Sequence, residues 1–391
     1  MSKKVSLHYN ISMEIISKEN TKLCSTWACS QYLTEPFNMP PVKMAKTTVR
    51  QIIHTSIGGN CLRLKLSNRC GNKKLVINSV HIAKSAGQGT GAIIPSTDKT
   101  LFFNGKENVK IAKGTELYSD FLDFSFNPLD ELTISIYYKK VPKKVTGHPG
   151  SRTFTYFESG DCTTKETFSH ENKTAHWYTI ADLELKTDIS KNSIVCFGDS
   201  ITDGRGSTDD KQNRWTDNFS IRMQNNPFTN NFAVINQGIG GTCITNNGAE
   251  RIERDVFSQA GISHIILFYG VNDIIYLNIT AEKLIQCYKD FIKRAHEKNI
   301  KIFGCTILPF GKNECYTEDK NKVRLEVNNW ILNTNSNDGG FDVSFDFASA
   351  TKDVNNENCL AAENDCGDGL HPSAHGYTVI ANAIDLMAFK N

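Results

Sequence analysis

The stretch "IVCFGDSITDGRGST", residues 194–208, decides how the second half of the chain folds. Its first five residues are mostly apolar, as in a buried strand, and a Gly-Asp-Ser turn and a Gly-rich polar segment follow directly. A small hydroxyl residue, Ser200, therefore stands where the strand is predicted to end. Such a serine either caps a helix or presents a nucleophile, and the rest of the chain decides between the two roles.

Five apolar, strand-like runs alternate with helical stretches after residue 190. Between them, residues 280–299 place apolar side chains at helical spacing. This alternation predicts a parallel sheet in an α/β/α sandwich, in which active sites gather at the carboxyl ends of the strands. The predicted strands are "SIVCFG" (193–198), "FAVINQG" (232–238), "SHIILFYG" (263–270), "IKIFGCTIL" (300–308) and "FDVSFDF" (341–347).

The first half of the chain has a different period. In "CLRLKLSN" (61–68) and "ELTISIYYKK" (131–140) apolar and polar residues alternate, and Gly, Asn, Asp and Pro clusters separate such runs. Short alternating strands at close spacing predict an antiparallel β-sandwich. The polar segment "TDISKNS" (187–193) is the predicted boundary, which gives a β-sandwich domain at 1–190 and an α/β domain at 191–391.

Composition excludes several classes of function. The chain has 391 residues and a formal net charge of +2, so no basic field favours nucleic acid or an anionic membrane as a partner. No apolar run approaches the roughly 18 residues of a membrane span, and the first twenty residues lack the apolar core of a signal peptide. We therefore expect a soluble protein; either the cytoplasm or secretion after removal of a signal is compatible with it, and its oligomeric state is left open.

The twelve cysteines are interpreted mainly as reduced thiols. Several fall inside predicted strands, where a buried thiol behaves as a small apolar side chain. The sequence contains no C-x-x-C pair, which argues against structural zinc. Disulfides between near pairs are the alternative: Cys24/Cys29, Cys61/Cys70 or Cys359/Cys366.

Four polar segments follow predicted strands. The segment after the first predicted strand contains "DGRGS" (203–207), which lacks the lysine of a phosphate-binding loop, and "FGDSI" (197–201) is not a G-x-S-x-G elbow. "NQGIGGT" (236–242) offers backbone N–H groups, "YGVNDI" (269–274) offers an amide, and "DCGDGLHPSAHGY" (365–377) offers a carboxylate and an imidazole three residues apart. Each segment alone is also compatible with a capped turn.

Together these segments supply what acyl transfer needs: a hydroxyl, a base, an orienting carboxylate and oxyanion donors. Ser200 is the predicted nucleophile, His371 the general base and acid, and Asp368 the residue that orients His371. The backbone N–H groups of Ser200 and Gly241, with the Asn272 side chain, form the predicted oxyanion hole.

The ordered motifs "GDS", "NxGxxG", "GxND" and "DGLHP" resemble those of the SGNH, or GDSL, hydrolase superfamily of esterases and lipases. The resemblance covers residues 193–391, and it implies a flavodoxin-like α/β/α fold and ester hydrolysis without a metal or other cofactor. It places the four name-giving positions at Ser200, Gly241, Asn272 and His371, with Asp368 completing the triad. One departure is Gly-Val-Asn-Asp where many relatives have Gly-Gly-Asn-Asp or Gly-Thr-Asn-Asp; it leaves the amide in place.

The first half is similar to the extra, jelly-roll-like β-domain of a bacterial and fungal subgroup of these hydrolases. Characterised members of the subgroup are mostly esterases, some of which act on acetylated plant polysaccharides. The resemblance therefore implies a short-chain, acetyl-type ester of a carbohydrate as substrate. The segments that carry it are "STWACS" (25–30), "TVRQIIHTSIGGNCLRLKLSN" (48–68), "HPGSRTFTYFESGD" (148–161) and "NRWTD" (213–217).

Four further residues are candidates for substrate contact. Arg214 and Trp215 follow the first catalytic loop and are candidates for the leaving-group side, although a structural role at the start of a helix is favoured. His148 and Arg152 are candidates for approaching the site from the β-domain, although a loop-stabilising role is favoured.

Other residues invite interpretations that the sequence disfavours. His375 lies four residues after His371, but Pro372 between them starts the predicted last helix and no H-E-x-x-H glutamate is present, so no metal site is predicted. Asp199 is interpreted as pinning the loop around the nucleophile. Trp27 and Trp177 are candidates for a sugar platform, with core packing as the default.

Two functions other than a short-chain esterase are alternative hypotheses. One is a lipase or thioesterase for longer acyl chains, which the lack of a long apolar lid segment near the motifs disfavours. The other is a carbohydrate-binding protein with an inert α/β domain, which the complete constellation disfavours.

Overall fold

The computed structural model describes residues 21–390. The expectation that the chain starts without a signal peptide concerns residues outside this range.

The first half of the described chain consists mostly of β-strands. Every strand pairing in it is antiparallel, in sheets of five, seven and three strands. The β-rich region predicted from the period-two pattern is therefore confirmed, while its assignment as a jelly-roll-like sandwich domain ending at residue 190 stays a prediction. The strands are β1 (Thr21–Ala28), β2 (Tyr32–Leu33), β3 (Thr47–His54), β4 (Gly59–Ser67), β5 (Leu75–Lys84), β6 (Lys99–Thr100), β7 (Val109–Ile111), β8 (Glu116–Tyr118), β9 (Leu122–Phe126), β10 (Glu131–Lys140), β11 (Thr146–His148), β12 (Thr155–Ser159), β13 (Lys173–Thr174), β14 (Trp177–Tyr178) and β15 (Ile180–Asp188).

Burial explains the alternating pattern of these strands. In β4, Leu62, Leu64 and Leu66 are fully buried while the charged residues between them are half-buried. In β10 the polar residues Thr133 and Ser135 are buried too, and Arg50 on the paired strand donates from Nε to Ser135 Oγ at 2.9 Å. An alternating strand can therefore have a polar face that is buried and hydrogen-bonded rather than exposed.

The second half contains one five-stranded parallel sheet. Its strands are β16 (Asn192–Gly198), β17 (Phe232–Gly238), β18 (Ile262–Phe268), β19 (Lys301–Cys305) and β20 (Val343–Phe345). The order across the sheet is β17-β16-β18-β19-β20, and all four pairings are parallel. This is the second-first-third-fourth-fifth order of flavodoxin-like folds, so the predicted α/β class is confirmed.

Helices connect and cover this sheet. They are α1 (Ser200–Asp203), α2 (Trp215–Gln224), α3 (Val271–Leu277), α4 (Ala281–His296), α5 (Glu318–Asn333), α6 (Phe347–Thr351) and α7 (Ala374–Asn382). Helix α2 packs against α7 and α4 against α5. The predicted apolar face of α4 is buried throughout, at Leu284, Tyr288, Phe291, Ile292 and Ala295. Short 3₁₀ or π turns lie at Pro36–Asn38, Pro95–Thr97, Ile244–Gly248, Glu253–Phe257, Ser336–Asp338, Ala362–Asn364 and Leu386–Phe389.

The last helix starts later than predicted. Ser373 is its N-cap, because its side chain accepts a hydrogen bond from the Gly376 N–H at 3.1 Å, and the first helical residue is Ala374. Pro372 therefore precedes the cap and does not begin the helix.

The cysteines are all reduced in the structure. All twelve lie in the described residues, and each is a free thiol.

Among the helices of residues 21–390, none combines the length and apolar character that crossing a membrane requires.

Candidate active site

The turn after β16 presents Ser200 at the carboxyl edge of the parallel sheet. Asp199 is the N-cap of the one-turn helix α1, and its Oδ1 accepts a hydrogen bond from the Ile201 N–H at 3.0 Å. Only glycine fits at position 198, the last residue of β16, because a Cβ there would lie 2.0 Å from Thr202 Oγ1 and 2.6 Å from the Phe268 carbonyl oxygen. The tight strand end thus fixes the position of the serine.

Asp199 is buried behind the nucleophile. Burial raises the pKa of its carboxyl to about 7. Its role in the structure is the helix cap, and the His371 imidazole is held by a different carboxylate.

Ser200, His371 and Asp368 form a continuous chain of hydrogen bonds. Ser200 Oγ lies 2.8 Å from His371 Nε2, and His371 Nδ1 lies 2.7 Å from Asp368 Oδ2. The second carboxylate oxygen of Asp368 accepts from the backbone N–H groups of His371 and Leu370, at 2.8 and 3.0 Å. The carboxylate therefore holds both the ring and the backbone of the histidine, which fixes the tautomer with the proton on Nδ1.

The electrostatics of this chain suit a general base. Burial lowers the pKa of His371 below its ordinary value, against the opposing effect of Asp368. Partial burial opposes ionisation of Asp368, but its hydrogen bonds with His371 and the charge of that ring hold its pKa below the ordinary range. At neutral pH the arrangement is a carboxylate, a neutral imidazole and a hydroxyl.

Two loops bring hydrogen-bond donors to the same cleft, which has a volume of about 380 Å³. Gly241 lines it with a left-handed backbone, φ 73°, and Gly240 is close enough that a Cβ on it would lie 3.7 Å from Ser200 Cβ. The Asn272 Nδ2 donates one hydrogen bond to the Thr242 carbonyl at 3.0 Å. Because an amide nitrogen carries two N–H groups, the second is available to a ligand.

The β-rich region also reaches this cleft. Asp203, at the end of α1, accepts from Arg152 at 3.0 Å and lies 2.8 Å from His148 Nε2. His148 is buried and its Nδ1 contacts the Ser30 carbonyl at 2.8 Å, whereas Arg152 lines the cleft. Of these two sequence candidates, only Arg152 faces the space beside Ser200, and His148 supports the turn from behind.

The other two candidates for substrate contact lie away from the cleft. Trp215 is fully buried and packs its ring near Phe268 and Phe347. Arg214 is buried as well, with Nε 2.7 Å from Asp217 Oδ2. The prediction that Arg214 and Trp215 contact a leaving group is therefore wrong. Both have the structural role at the start of α2, because aromatic rings surround Trp215 and the Asp217 carboxylate binds Arg214.

The cleft is also lined by residues that lie outside the sequence motifs. Asp203 and Arg205 follow the nucleophile within the opening stretch of sequence, so proximity to Ser200 was a usable signal. Phe37 and Tyr276 line the cleft with exposed rings, 69% and 60% accessible. Trp27 and Trp177, considered as a sugar platform, are buried and pack edge-to-face at 5.0 Å.

The region around the triad holds a small set of potential metal ligands. Asp365, Cys366 and Asp368 have ligand atoms within 4.8 Å of one another. Asp368 is engaged by His371, and Asp365 Oδ1 accepts from the Gly367 and Gly369 N–H groups. His375 points elsewhere, since its Nδ1 is 3.0 Å from Asn364 Oδ1.

Comparison with known proteins identifies the part of the chain that contains this site. The model of the GDSL-like lipase/acylhydrolase family matches residues 196–379. Among the curated proteins, the search finds no match.

Several solved structures are similar to about half of the chain. The acetyl xylan esterase AlAXEase is 24% identical, with 49% of this chain and 96% of that chain covered and a TM-score of 0.38. A member of the lipolytic G-D-S-L family from Veillonella parvula is 19% identical, with 49% and 94% covered and a TM-score of 0.38. A GDSL-like lipase from Bacteroides thetaiotaomicron is 17% identical, with 51% and 88% covered and a TM-score of 0.38.

Proposed function

We propose that this chain is a serine esterase that removes short acyl groups, above all acetyl, from carbohydrate. The match of residues 196–379 to the model of the GDSL-like lipase/acylhydrolase family supports the ester-hydrolysing part of this proposal. The observation that carries the proposal is the unbroken chain of contacts from Ser200 Oγ through His371 to Asp368, at 2.8 and 2.7 Å. In this mechanism the three residues work without a metal or other cofactor.

The first half of the reaction forms an acyl-enzyme. Ser200 Oγ attacks the ester carbonyl carbon while its proton passes to His371 Nε2. Asp368 stabilises the resulting imidazolium. The tetrahedral intermediate collapses when the bond to the alcohol oxygen breaks, and that oxygen takes the proton from His371 Nε2. A water molecule then repeats the sequence, with its proton going to His371, and releases the carboxylic acid and free Ser200.

The oxyanion of both tetrahedral intermediates is assigned to three donors. These are the backbone N–H groups of Ser200 and Gly241 and the second N–H of the Asn272 amide. Support comes from the position of all three residues on the wall of one cleft. Donors of this kind act strongly because they are fixed before the charge develops, and one of them typically contributes about 3 kcal/mol.

Two features favour a short acyl group on a sugar. The cleft of about 380 Å³ has to hold both the acyl group and at least one ring of the alcohol, which leaves little room for a long chain. Its exposed rings, Phe37 and Tyr276, offer flat apolar faces on which the C–H face of a sugar ring can pack.

A series of 4-nitrophenyl esters from acetate to octanoate tests the acyl length. We expect kcat/KM to be highest for acetate, with acetate release from acetylated xylan as the test of the carbohydrate. A maximum at octanoate would favour a lipase or thioesterase. The matched control is Ser200→Ala: equal turnover by this variant and the parent would count against Ser200 as the nucleophile, and a parent that hydrolyses none of these esters would favour a non-catalytic, carbohydrate-binding role.

A further inference from the structure

Two guanidinium groups stand beside the nucleophile, and the triad uses neither of them. Arg152 comes from the loop after β11, and Arg205 comes two residues after α1. Among the described residues that line the cleft, Asp203 is the only carboxylate. The balance of charge on the cleft wall is therefore positive.

Arg152 is held in place but keeps hydrogen-bond donors unused. One terminal nitrogen donates to Asp203 Oδ2 at 3.0 Å, and its buried Nε has no hydrogen-bond partner among the described residues. The other oxygen of Asp203 is occupied by His148 Nε2 at 2.8 Å. Because Nε is buried, the donors of Arg152 that a ligand in the cleft can reach are on the terminal nitrogens, one of which bonds Asp203.

Arg205 has a fixed backbone and a free side chain. Its N–H donates to the Ser200 carbonyl at 2.9 Å, and its own carbonyl accepts from the Tyr377 hydroxyl at 2.6 Å. Its side chain is 63% exposed, and its Nε lies 3.9 Å from Asp368 Oδ2, too far for a hydrogen bond. This contact is a solvent-screened ion pair with the triad carboxylate that uses no hydrogen-bond donor of the guanidinium, so its N–H groups are open to a ligand.

The direction of proton transfer in the triad indicates which part of the substrate, acyl group or alcohol, lies near these arginines. His371 delivers its proton to the leaving alcohol oxygen, so the alcohol lies on the His371 side of the ester. Arg205 lies on that side, because its Nε is 3.9 Å from Asp368 Oδ2, the oxygen that contacts His371 Nδ1, and Arg152 lines the same cleft as His371. A guanidinium binds a carboxylate through two parallel N–H bonds, and it stays charged at any physiological pH.

We propose that the alcohol part of the substrate carries a carboxylate, which Arg152 and Arg205 bind. The inference rests on the proposed esterase function and names the substrate class of that same site. A uronic acid unit of a polysaccharide and a small hydroxy acid share this chemistry.

Two acetate esters that differ in one charge test the proposal on the full chain. The two substrates are 4-acetoxybenzoate and its methyl ester. The value of kcat/KM for each substrate is divided by the rate constant for its hydrolysis by hydroxide, which corrects for the different intrinsic reactivity of the two acetate esters. We expect the corrected ratio, acid over methyl ester, to exceed one in the parent and to fall about tenfold or more in Arg205→Gln and Arg152→Gln, the effect of losing a charge-assisted hydrogen bond. Arg205→Lys keeps the charge but loses the two parallel N–H bonds, so its ratio should lie between those of the parent and Arg205→Gln.

Arg294→Gln is the matched control, because Arg294 is an exposed arginine that does not line the cleft. Its ratio should equal that of the parent. Arg205→Gln keeps the test valid even if Arg152→Gln loosens the turn at Asp203, since the Arg205 side chain is largely in solvent.

The outcomes separate the two proposals. A corrected ratio of one or less in the parent, or a ratio that neither arginine substitution lowers, overturns the carboxylate site while leaving the esterase intact. If the parent hydrolyses neither ester and also fails to hydrolyse 4-nitrophenyl acetate, the proposed esterase function is overturned. Acetate release that is faster from acetylated polygalacturonate than from acetylated xylan assigns the carboxylate to a uronic acid, and preference for 4-acetoxybenzoate alone assigns it to a small acid.

Discussion

At the scale of single residues, the His371 imidazole sets the pH dependence. Burial lowers its pKa, and the neutral ring is the base, so activity is present above this pKa and is lost as the pH falls through it. We expect the acid limb of kcat/KM for 4-nitrophenyl acetate to lie below about 6.5, the ordinary pKa of histidine.

Asp368→Asn provides the control for this assignment. Asp368 raises the pKa of His371 against burial, so its neutral replacement should move the acid limb to lower pH. It should also reduce kcat by roughly 10³–10⁴, because the orientation of the ring is lost. A profile with no acid limb between pH 4 and 7 in the parent would identify a different base.

At the scale of elements, the loop after β17 needs a left-handed residue at position 241. Gly241 has φ 73°, and a Cβ there would meet nothing within 4 Å, so the cost of Gly241→Ala to folding is the backbone strain of about 1–2 kcal/mol. The new methyl group would project into the cleft beside the assigned oxyanion hole. We therefore expect a loss of at least about tenfold in kcat.

Gly105→Ala is a matched control for this substitution. Gly105 has the same φ of 73° and equally open space, but it lies in a turn of the β-rich region. Both variants should lose similar free energy of unfolding in urea, and only Gly241→Ala should lose activity. Equal activity of the two variants would argue against an oxyanion role for residue 241.

The elements also show where sequence patterns succeed. The runs predicted at 193–198 and 232–238 are strands Asn192–Gly198 and Phe232–Gly238, because glycines end both of them. The run predicted at 300–308 is a strand only to Cys305, although Ile307 and Leu308 are buried. There the Asn328 side chain binds both the N–H and the carbonyl of Ile307, at 2.7 and 2.8 Å, and replaces a neighbouring strand. An apolar pattern reports burial, and such a side-chain contact cannot be read from it.

At the scale of the whole molecule, the β-rich region and the α/β half meet in a cluster of the buried residues Asp203 and His148 with the half-buried Arg152. Burial opposes ionisation of Asp203, but the positive charges of its two partners hold its pKa below the ordinary value. A carboxyl with a depressed pKa in the folded state stabilises the fold above its ordinary pKa, and this stabilisation is lost as the pH falls toward the folded value.

We therefore expect Asp203→Asn to lower the free energy of unfolding at pH 7 by about 3 kcal/mol, because it removes the buried carboxylate that Arg152 and His148 share. The difference from the parent should shrink below about pH 4. Glu253→Gln, which removes an exposed ion pair with Arg294, is the control and should cost less than about 1 kcal/mol. A cost for Asp203→Asn that matches the control, or that does not change with pH, would contradict this role.

The same cluster marks the limit of prediction from sequence. The four motifs of the second half predicted the nucleophile, base, acid and donors. Three of them follow strands that end in visible apolar runs, whereas residues 365–377 follow the helix Phe347–Thr351 and a 3₁₀ turn, and only the spacing of their carboxylate and imidazole pointed to them. Contacts between Asp203 and residues 148 and 152 join positions more than fifty residues apart, and Phe37 reaches the cleft from a short 3₁₀ turn. No local period encodes such contacts, because they depend on how separate sheets pack.

The central claim is that Ser200 is the hydroxyl activated by His371. It is tested most directly by treatment of the full chain with diisopropyl fluorophosphate, followed by peptide mapping by mass spectrometry. We predict that Ser200 Oγ displaces fluoride from phosphorus, that one phosphoryl group per chain is found on Ser200, and that hydrolysis of 4-nitrophenyl acetate disappears in proportion to labelling. Full activity in protein labelled at Ser200, or loss of activity with the label on another residue, would contradict the account.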